Sequence, residues 1–319
     1  MVMDRFIVGT GRCGSTLLSR MLSEDPKTLS IFEFFNGLDG SRRFSGDPIE
    51  GKDLVTLITA EQPILTEVLR RGYTVEEVVY PFAPSSRYRR DQGLPWILVC
   101  ALPRMTDKPD SLYDETLAFA SELPKQRTAA HYRELFGWWA KRLGREQWIE
   151  RSGSSIEYLE GLHEVFPKAK FLHLHRDARE TALSMREHPA YRLAVSLLYE
   201  PSKLQAEDWI TEILKTRPSV ELFGRYWSAQ VESGLQALPK LQSDQYFRIC
   251  FEDLVKRPID VLSAVREFLE LGSDNGWIER AAGLIRGIPP TRFEKLPREE
   301  QIRLSEACRP GEERLAQSA

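Results

Sequence analysis

Thirteen residues near the start, Phe6-Ile7-Val8-Gly9-Thr10-Gly11-Arg12-Cys13-Gly14-Ser15-Thr16-Leu17-Leu18, constrain the chain more than any other stretch. An apolar run ends in a glycine-rich turn, and a helix-compatible segment with two hydroxyl residues follows. This is the layout of a phosphate-cradling loop: glycines let the backbone approach an anion, and the next helix presents free N–H groups and a positive dipole end. The spacing Gly9-x-x-x-x-Gly14 followed by Ser15-Thr16 matches an ATP-type phosphate loop except that Ser15 stands where that loop has Lys. A cation sits inside the loop instead, as Arg12. The missing Lys neutralises β- and γ-phosphates in phosphoryl transfer, so the loop is suited to a phosphate-bearing nucleotide and poorly equipped for ATP or GTP hydrolysis.

A strand–loop–helix of this kind needs a sheet to join. Short apolar runs read as strands at 6–8, 28–32, 96–100, 148–150, 170–175 and 246–250, with amphipathic helical stretches between them, among them 15–24, 178–187 and 220–238. That alternation predicts an α/β fold: a P-loop-NTPase-like, mostly parallel sheet flanked by helices on both faces. Ligands in such sheets lie beyond the carboxyl ends of the strands. The 319 residues suffice for a core, and a single domain over 1–319 is expected. Two Gly/Pro-rich segments, 36–52 and 81–95, read as loops, and acceptor-site loops are expected within 36–95 and 191–217. The charged end, 308–319, reads as a flexible tail.

Composition removes several function classes. With 42% hydrophobic and 29% charged residues and a net charge of −3, the chain lacks the basic excess of a nucleic-acid binder. The cluster Arg87-Tyr88-Arg89-Arg90 reads as solvated loop charge. Four scattered cysteines, Cys13, Cys100, Cys250 and Cys308, form neither a zinc pattern nor a disulfide framework, and no metal site is expected. Cys13 lies inside the loop, where positive surroundings would lower its pKa; the alternative is a small side chain tolerated beside a turn. No apolar run approaches the ~20 residues that span a bilayer, and Met1–Arg5 leads straight into the first strand, so no integral membrane association and a cytoplasmic location are expected. The oligomeric state is left open.

A second motif makes the first specific. In Phe171-Leu172-His173-Leu174-His175-Arg176-Asp177-Ala178-Arg179-Glu180-Thr181-Ala182-Leu183-Ser184, a strand ends at Arg176 and Ser184 follows eight residues later on the next helix. With the loop, the sequence resembles the sulfotransferases that use 3′-phosphoadenosine 5′-phosphosulfate (PAPS) and release the 3′,5′-bisphosphate (PAP). Gly11-Arg12-Cys13-Gly14-Ser15-Thr16 is similar to the family's G-x-[RK]-S-G-[ST]-T loop, with Cys13 for the usual Ser. Trp148-Ile149-Glu150-Arg151-Ser152-Gly153 resembles W-x-E-K-[ST/A]-P, with Arg151 for Lys and Gly153 for Pro. Cys250-Phe251-Glu252-Asp253-Leu254 and the later Pro258 resemble the family's "YEDL…P". The likeness looks closest to the tyrosylprotein and the bacterial carbohydrate and lipid branches.

The resemblance implies that Arg12, Cys13, Gly14, Ser15 and Thr16 bind the 5′-phosphosulfate and that Arg176 and Ser184 hold the 3′-phosphate. Arg292, beside Phe293, is carried over as a further nucleotide contact, with a solvated tail charge as the alternative. Chemically, the permanently charged fork of Arg12 suits both the 5′-phosphate and the charge that develops on the leaving group. An attacking alcohol must also lose a proton. Glu33, at the carboxyl end of the 28–32 strand, is the candidate base, and a catalytic Glu at this distance after the loop arginine in the tyrosylprotein branch supports it. The alternative for Glu33 is an exposed glutamate opening a helix; His173 and His175, on one face of the preceding strand, are the next candidates. The function expected is sulfuryl transfer to a hydroxyl of a small-molecule, carbohydrate or lipid acceptor. A nucleotide-dependent kinase and a non-catalytic adenosine-bisphosphate-binding module are the alternatives.

Overall fold

A computed structural model describes residues 3–272 and 276–318. The strands are β1 (Arg5–Val8), β2 (Thr28–Phe32), β3 (Pro48–Ile49), β4 (Gln126–Arg127), β5 (Gln147–Arg151), β6 (Lys170–His175) and β7 (Tyr246–Cys250). Five of them form one sheet in the order β2-β5-β1-β6-β7, and every pairing in it is parallel. β3 and β4 make a separate antiparallel pair.

The central strands are apolar at successive positions because both faces are covered. Alternation along β1 sends Phe6 and Val8 into one core with Trp148 and Phe171, while Ile7 joins Ile149, Leu172 and Leu174 in the other. The second core is closed by Leu18, Met21 and Leu22 of the helix Ser15–Leu22 and by Leu262, Val265 and Trp277. The first is larger and rich in rings: Phe34 meets Phe136 edge-on at 4.8 Å, and Phe6 lies 4.9 Å from Phe166.

Three expectations are corrected. Residues 96–100 do not form a strand: Ile97–Ala101 is a helical turn, buried throughout, packed beside β2. A short run that is apolar on all sides fits a buried helix as well as a buried strand, and Pro95 and Pro103 bracket it. The span 191–217 is mainly helical rather than loop, with Pro189–Tyr199 and Trp209–Lys215. The end of the chain is the helix Arg298–Gln317, which buries Leu304, Cys308 and Gly311 against the helix Val220–Leu235. Pro310 stands inside that terminal helix. The Ser228 hydroxyl donates to the Ala307 carbonyl (2.8 Å) and accepts from the Gly311 N–H (3.3 Å), splicing itself into the helix ladder at the turn holding the proline. Among the described residues no helix is long and apolar enough to cross a membrane.

Candidate active site

The loop between β1 and its helix turns through left-handed backbone at Gly11 (φ 71°), Arg12 (φ 54°) and Gly14 (φ 96°). Two of these need glycine for space as well. A Cβ on Gly11 would fall 1.7 Å from the Tyr191 hydroxyl, and one on Gly14 would fall 2.2 Å from the Phe251 ring. The loop delivers Arg12, Ser15 and Thr16 to a cavity of about 300 Å³ at the carboxyl ends of the strands. Arg176 from the end of β6, Ser184 from the helix Ala178–Glu187, Glu33 from the end of β2 and Arg292 line the same cavity. Gly14 lines it too, but the Cys13 side chain is fully buried away from it, and burial pushes its thiol pKa up. Cys13 is therefore packed beside the turn, not activated by it.

Arg12 reaches two partners. Its Nε donates to Ser184 Oγ (3.3 Å), joining the first motif to the second. Its two terminal nitrogens grip the Glu76 carboxylate at 2.7 and 3.3 Å. Arg176 stacks over the Phe251 ring at 4.9 Å, and its Nε, buried, has no partner. The ion pairs open to it in the sequence are taken: Asp177 pairs with Arg179 (2.7 Å), and Glu180 accepts from the N–H groups of Arg292 and Phe293. Burial, opposed by Glu252, lowers the Arg176 pKa. A partly buried arginine whose buried Nε is unspent, beside a glycine cradle and a helix start, is a fit for an anion.

Glu33 is 2% exposed, so it is not a surface glutamate. Arg151 forms an ion pair with it, the Gly153 N–H reaches both carboxylate oxygens (3.2 and 3.0 Å), and Asn36 Nδ2 donates to Oε2 (2.6 Å). Arg151 also donates to Thr16 Oγ1 (3.1 Å), tying the carboxylate to the phosphate loop. The two departures from the family segment, Arg151 and Gly153, are thus two of the three groups that hold Glu33. Arginine supplies two separated donors where lysine has one compact ammonium, and a proline at 153 would have no N–H to give. His173 and His175 stand elsewhere: His173 is fully buried with Nδ1 2.5 Å from the Tyr246 hydroxyl, and His175 lines a different cavity. Burial lowers both pKa values.

Sequence reasoning missed the acidic wall. Glu76 and Glu77 line the cavity from a segment without motif or regular structure. Glu77 Oε2 lies 3.1 Å from His188 Nε2. Burial pushes the Glu77 carboxyl up, but His188 outweighs it and brings it down to about 2. The doublet Glu76-Glu77 was visible, yet nothing near it in the chain indicates its partners: Arg12 lies 64 residues earlier and His188 111 residues later. Among the described residues no group of three or more His, Cys, Asp or Glu side chains is placed to hold a metal ion.

A family model described as "Sulfotransferase family" matches residues 102–275, more than half of the chain. The chain belongs to the sulfotransferase family. Among solved structures, the sulfotransferase domain from the curacin biosynthetic pathway is 15% identical, with 99% of this chain and 97% of that one covered and a TM-score of 0.52. A sulfotransferase from Mycobacterium avium is 17% identical, covering 96% and 75%, with a TM-score of 0.46. A mouse sulfotransferase complexed with PAP is 12% identical, covering 99% and 89%, with a TM-score of 0.43. A search of curated proteins found no match. At these identities the likeness is one of fold, and the parallel sheet with helices on both faces is the sulfotransferase α/β fold.

Proposed function

We propose that this protein transfers a sulfuryl group from PAPS to a hydroxyl of a small-molecule, carbohydrate or lipid acceptor, as a single domain and without a metal ion. The observation that carries the reading is the convergence of Arg12, Ser184 and the unpaired Arg176 Nε on one cavity with the phosphate loop. Two cationic centres from motifs about 160 residues apart suit a nucleotide with phosphates on both its 5′ and 3′ positions.

PAPS would supply an electrophilic sulfuryl group on a phosphate leaving group. Ser15, Thr16 and the helix start would bind the 5′-phosphate, and Arg12 would stabilise the charge released there as the sulfuryl group departs. Arg176, Ser184 and Arg292 would hold the 3′-phosphate. Glu33 would accept the acceptor's proton, since its carboxylate lines both the nucleotide cavity and the one beside it. Arg151 and Asn36 would fix its orientation. Arg12 supplies the charge that a divalent ion gives in ATP-type loops, so activity is expected to persist in chelator.

The test is calorimetry with PAP and with AMP. Losing a charge-assisted contact costs roughly 1.5–3 kcal/mol, so PAP is expected to bind at least ~tenfold more tightly, and Arg176→Ala to shrink the gap. Equal affinities would reject the assignment.

A further inference from the structure

Next to the nucleotide cavity lies a second, of about 210 Å³, that shares Glu33, Glu77, Gly153 and Tyr191 with it. It also includes Trp96, Ala190 and Ala194, and these three are walls of a third, of about 230 Å³. The polar character falls sharply along this series. The first cavity is lined with four arginines and three glutamates, the second with Glu33, Glu77 and His188, and the third with no charged residue. Ile64, Leu65, Val68, Val75, Leu193 and Leu197 make up most of the third, and its one polar side chain, Gln62, already donates to the Gly37 carbonyl (2.7 Å). Trp96 turns its indole N–H inward to the Glu33 carbonyl (2.6 Å), which leaves the rest of the ring as apolar wall. Of its lining, Ile64 is 44% exposed and Leu197 37%.

We propose that the acceptor is an apolar alcohol, whose hydroxyl sits at Glu33 and whose aliphatic body runs past Trp96 into the third cavity. The inference rests on the sulfuryl-transfer reading and narrows its acceptor. A carbohydrate in the third cavity would exchange its water hydrogen bonds for walls with one polar side chain among them, Gln62, at a cost of some kcal/mol per unmatched hydroxyl. An alkyl chain there loses nothing and removes apolar surface, its own and the protein's, from water. The bond that forms joins the alcohol oxygen to sulfur, the bond that breaks joins sulfur to the phosphate oxygen, and the hydroxyl proton passes to Glu33. PAP and an alkyl sulfate are the products. Phe82 and Tyr88, on the 81–95 loop expected to border the acceptor, line a separate cavity with Arg70, Arg89 and Arg90.

The experiment is a series of 1-alkanols from butanol to decanol with labelled PAPS, beside glucose and phenol. Each added methylene is expected to raise kcat/KM three- to fourfold, about 0.8 kcal/mol per buried CH2, until the cavity is full. Alcohol binding is measured in parallel by displacement of an apolar fluorescent dye from the PAP-saturated protein, which needs no turnover. Ala194→Phe, at the junction of the second and third cavities, is expected to shorten the chain length at which the rise stops. Leu197→Asp, on the exposed rim, is expected to lower decanol affinity at least tenfold and covers the case in which the first variant does not fold. A flat alkanol series, or a preference for glucose or phenol, overturns the inference while PAP binding and transfer stand. Loss of PAP discrimination with alkanol binding intact rejects the sulfuryl-transfer reading instead.

Discussion

Glu33 holds a backbone φ of 53°, a left-handed conformation that costs a non-glycine residue about 1–2 kcal/mol. Arg12, at φ 54°, borders the nucleotide cavity and Ser154, at φ 55°, the cavity beside it, and both are strained in the same way. Such outliers persist where the surroundings over-determine them, and they gather at functional sites. At Glu33 the surroundings are its N–H on the Arg151 carbonyl (2.7 Å), its carbonyl under the Trp96 indole, and three donor groups on the side chain. A group so placed by its neighbours should fail in chemistry and not in binding when its charge is removed. Glu33→Gln is expected to lower kcat ~10²–10⁴-fold with PAP affinity kept, whereas Arg12→Ala should weaken both, since its charge meets ground and transition states alike. Rate and calorimetry on the two variants separate these outcomes, and a Glu33→Gln enzyme with most of its activity would refute the role. The loop residues were legible because they are consecutive and their chemistry is local. Asn36, Glu76, Glu77 and Tyr191 were not, because each becomes a site residue only through a neighbour brought up by the fold.

Among the elements, those with a covered, alternating or motif-bearing sequence were readable and those defined by their surroundings were not. β1, β2, β6 and β7 lie within a residue of where the apolar runs place them. Ile97–Ala101 is helical because a run buried on every side carries no period to distinguish the two forms. The terminal helix is the opposite case. Its charge and Pro310-Gly311 read as disorder, yet Gly311 is the residue that fits: a Cβ there would stand 2.6 Å from the Trp227 ring. Proline inside a helix removes one N–H and crowds the carbonyl a turn earlier, and Ser228 supplies a hydroxyl to the strained turn. Ser228→Ala is therefore expected to destabilise the protein by roughly 1–3 kcal/mol, the cost of leaving buried groups unsatisfied. Hydrogen exchange should quicken first in 305–317; an unchanged exchange pattern and denaturation midpoint would remove Ser228 from this role.

At the scale of the whole molecule, one buried carboxyl sets a pH dependence. Glu150 at the end of β5 is 1% exposed, accepts from Ser152 Oγ (2.6 Å) and the Phe34 N–H (3.2 Å), and is pushed by burial up to about 8. Folded, it keeps its proton over a range in which the unfolded chain, near 4.5, has lost it. The folded state then binds more protons, so this group's contribution is complete below about pH 4.5, declines as pH rises to about 8, and is level above. The span amounts to a few kcal/mol at about 1.36 kcal/mol per pH unit. Denaturation midpoints of Glu150→Gln are expected to vary less between pH 5 and 8 than those of the native chain; parallel profiles would show that Glu150 does not set the slope. The grip of Glu76 on Arg12 has a consequence of another kind, in the order of events. The Glu76 carboxylate holds the Arg12 guanidinium proposed to meet the 5′-phosphosulfate, so a nucleotide binding there would exchange one anion for another, and the neighbouring Glu77 lines the adjacent cavity proposed for the alcohol. On the proposed reading, the expected order of binding is nucleotide first and alcohol second. Decanol should bind the PAP complex at least several-fold more tightly than the empty protein, and equal affinity for the two would mean that the clamp governs no sequence at all.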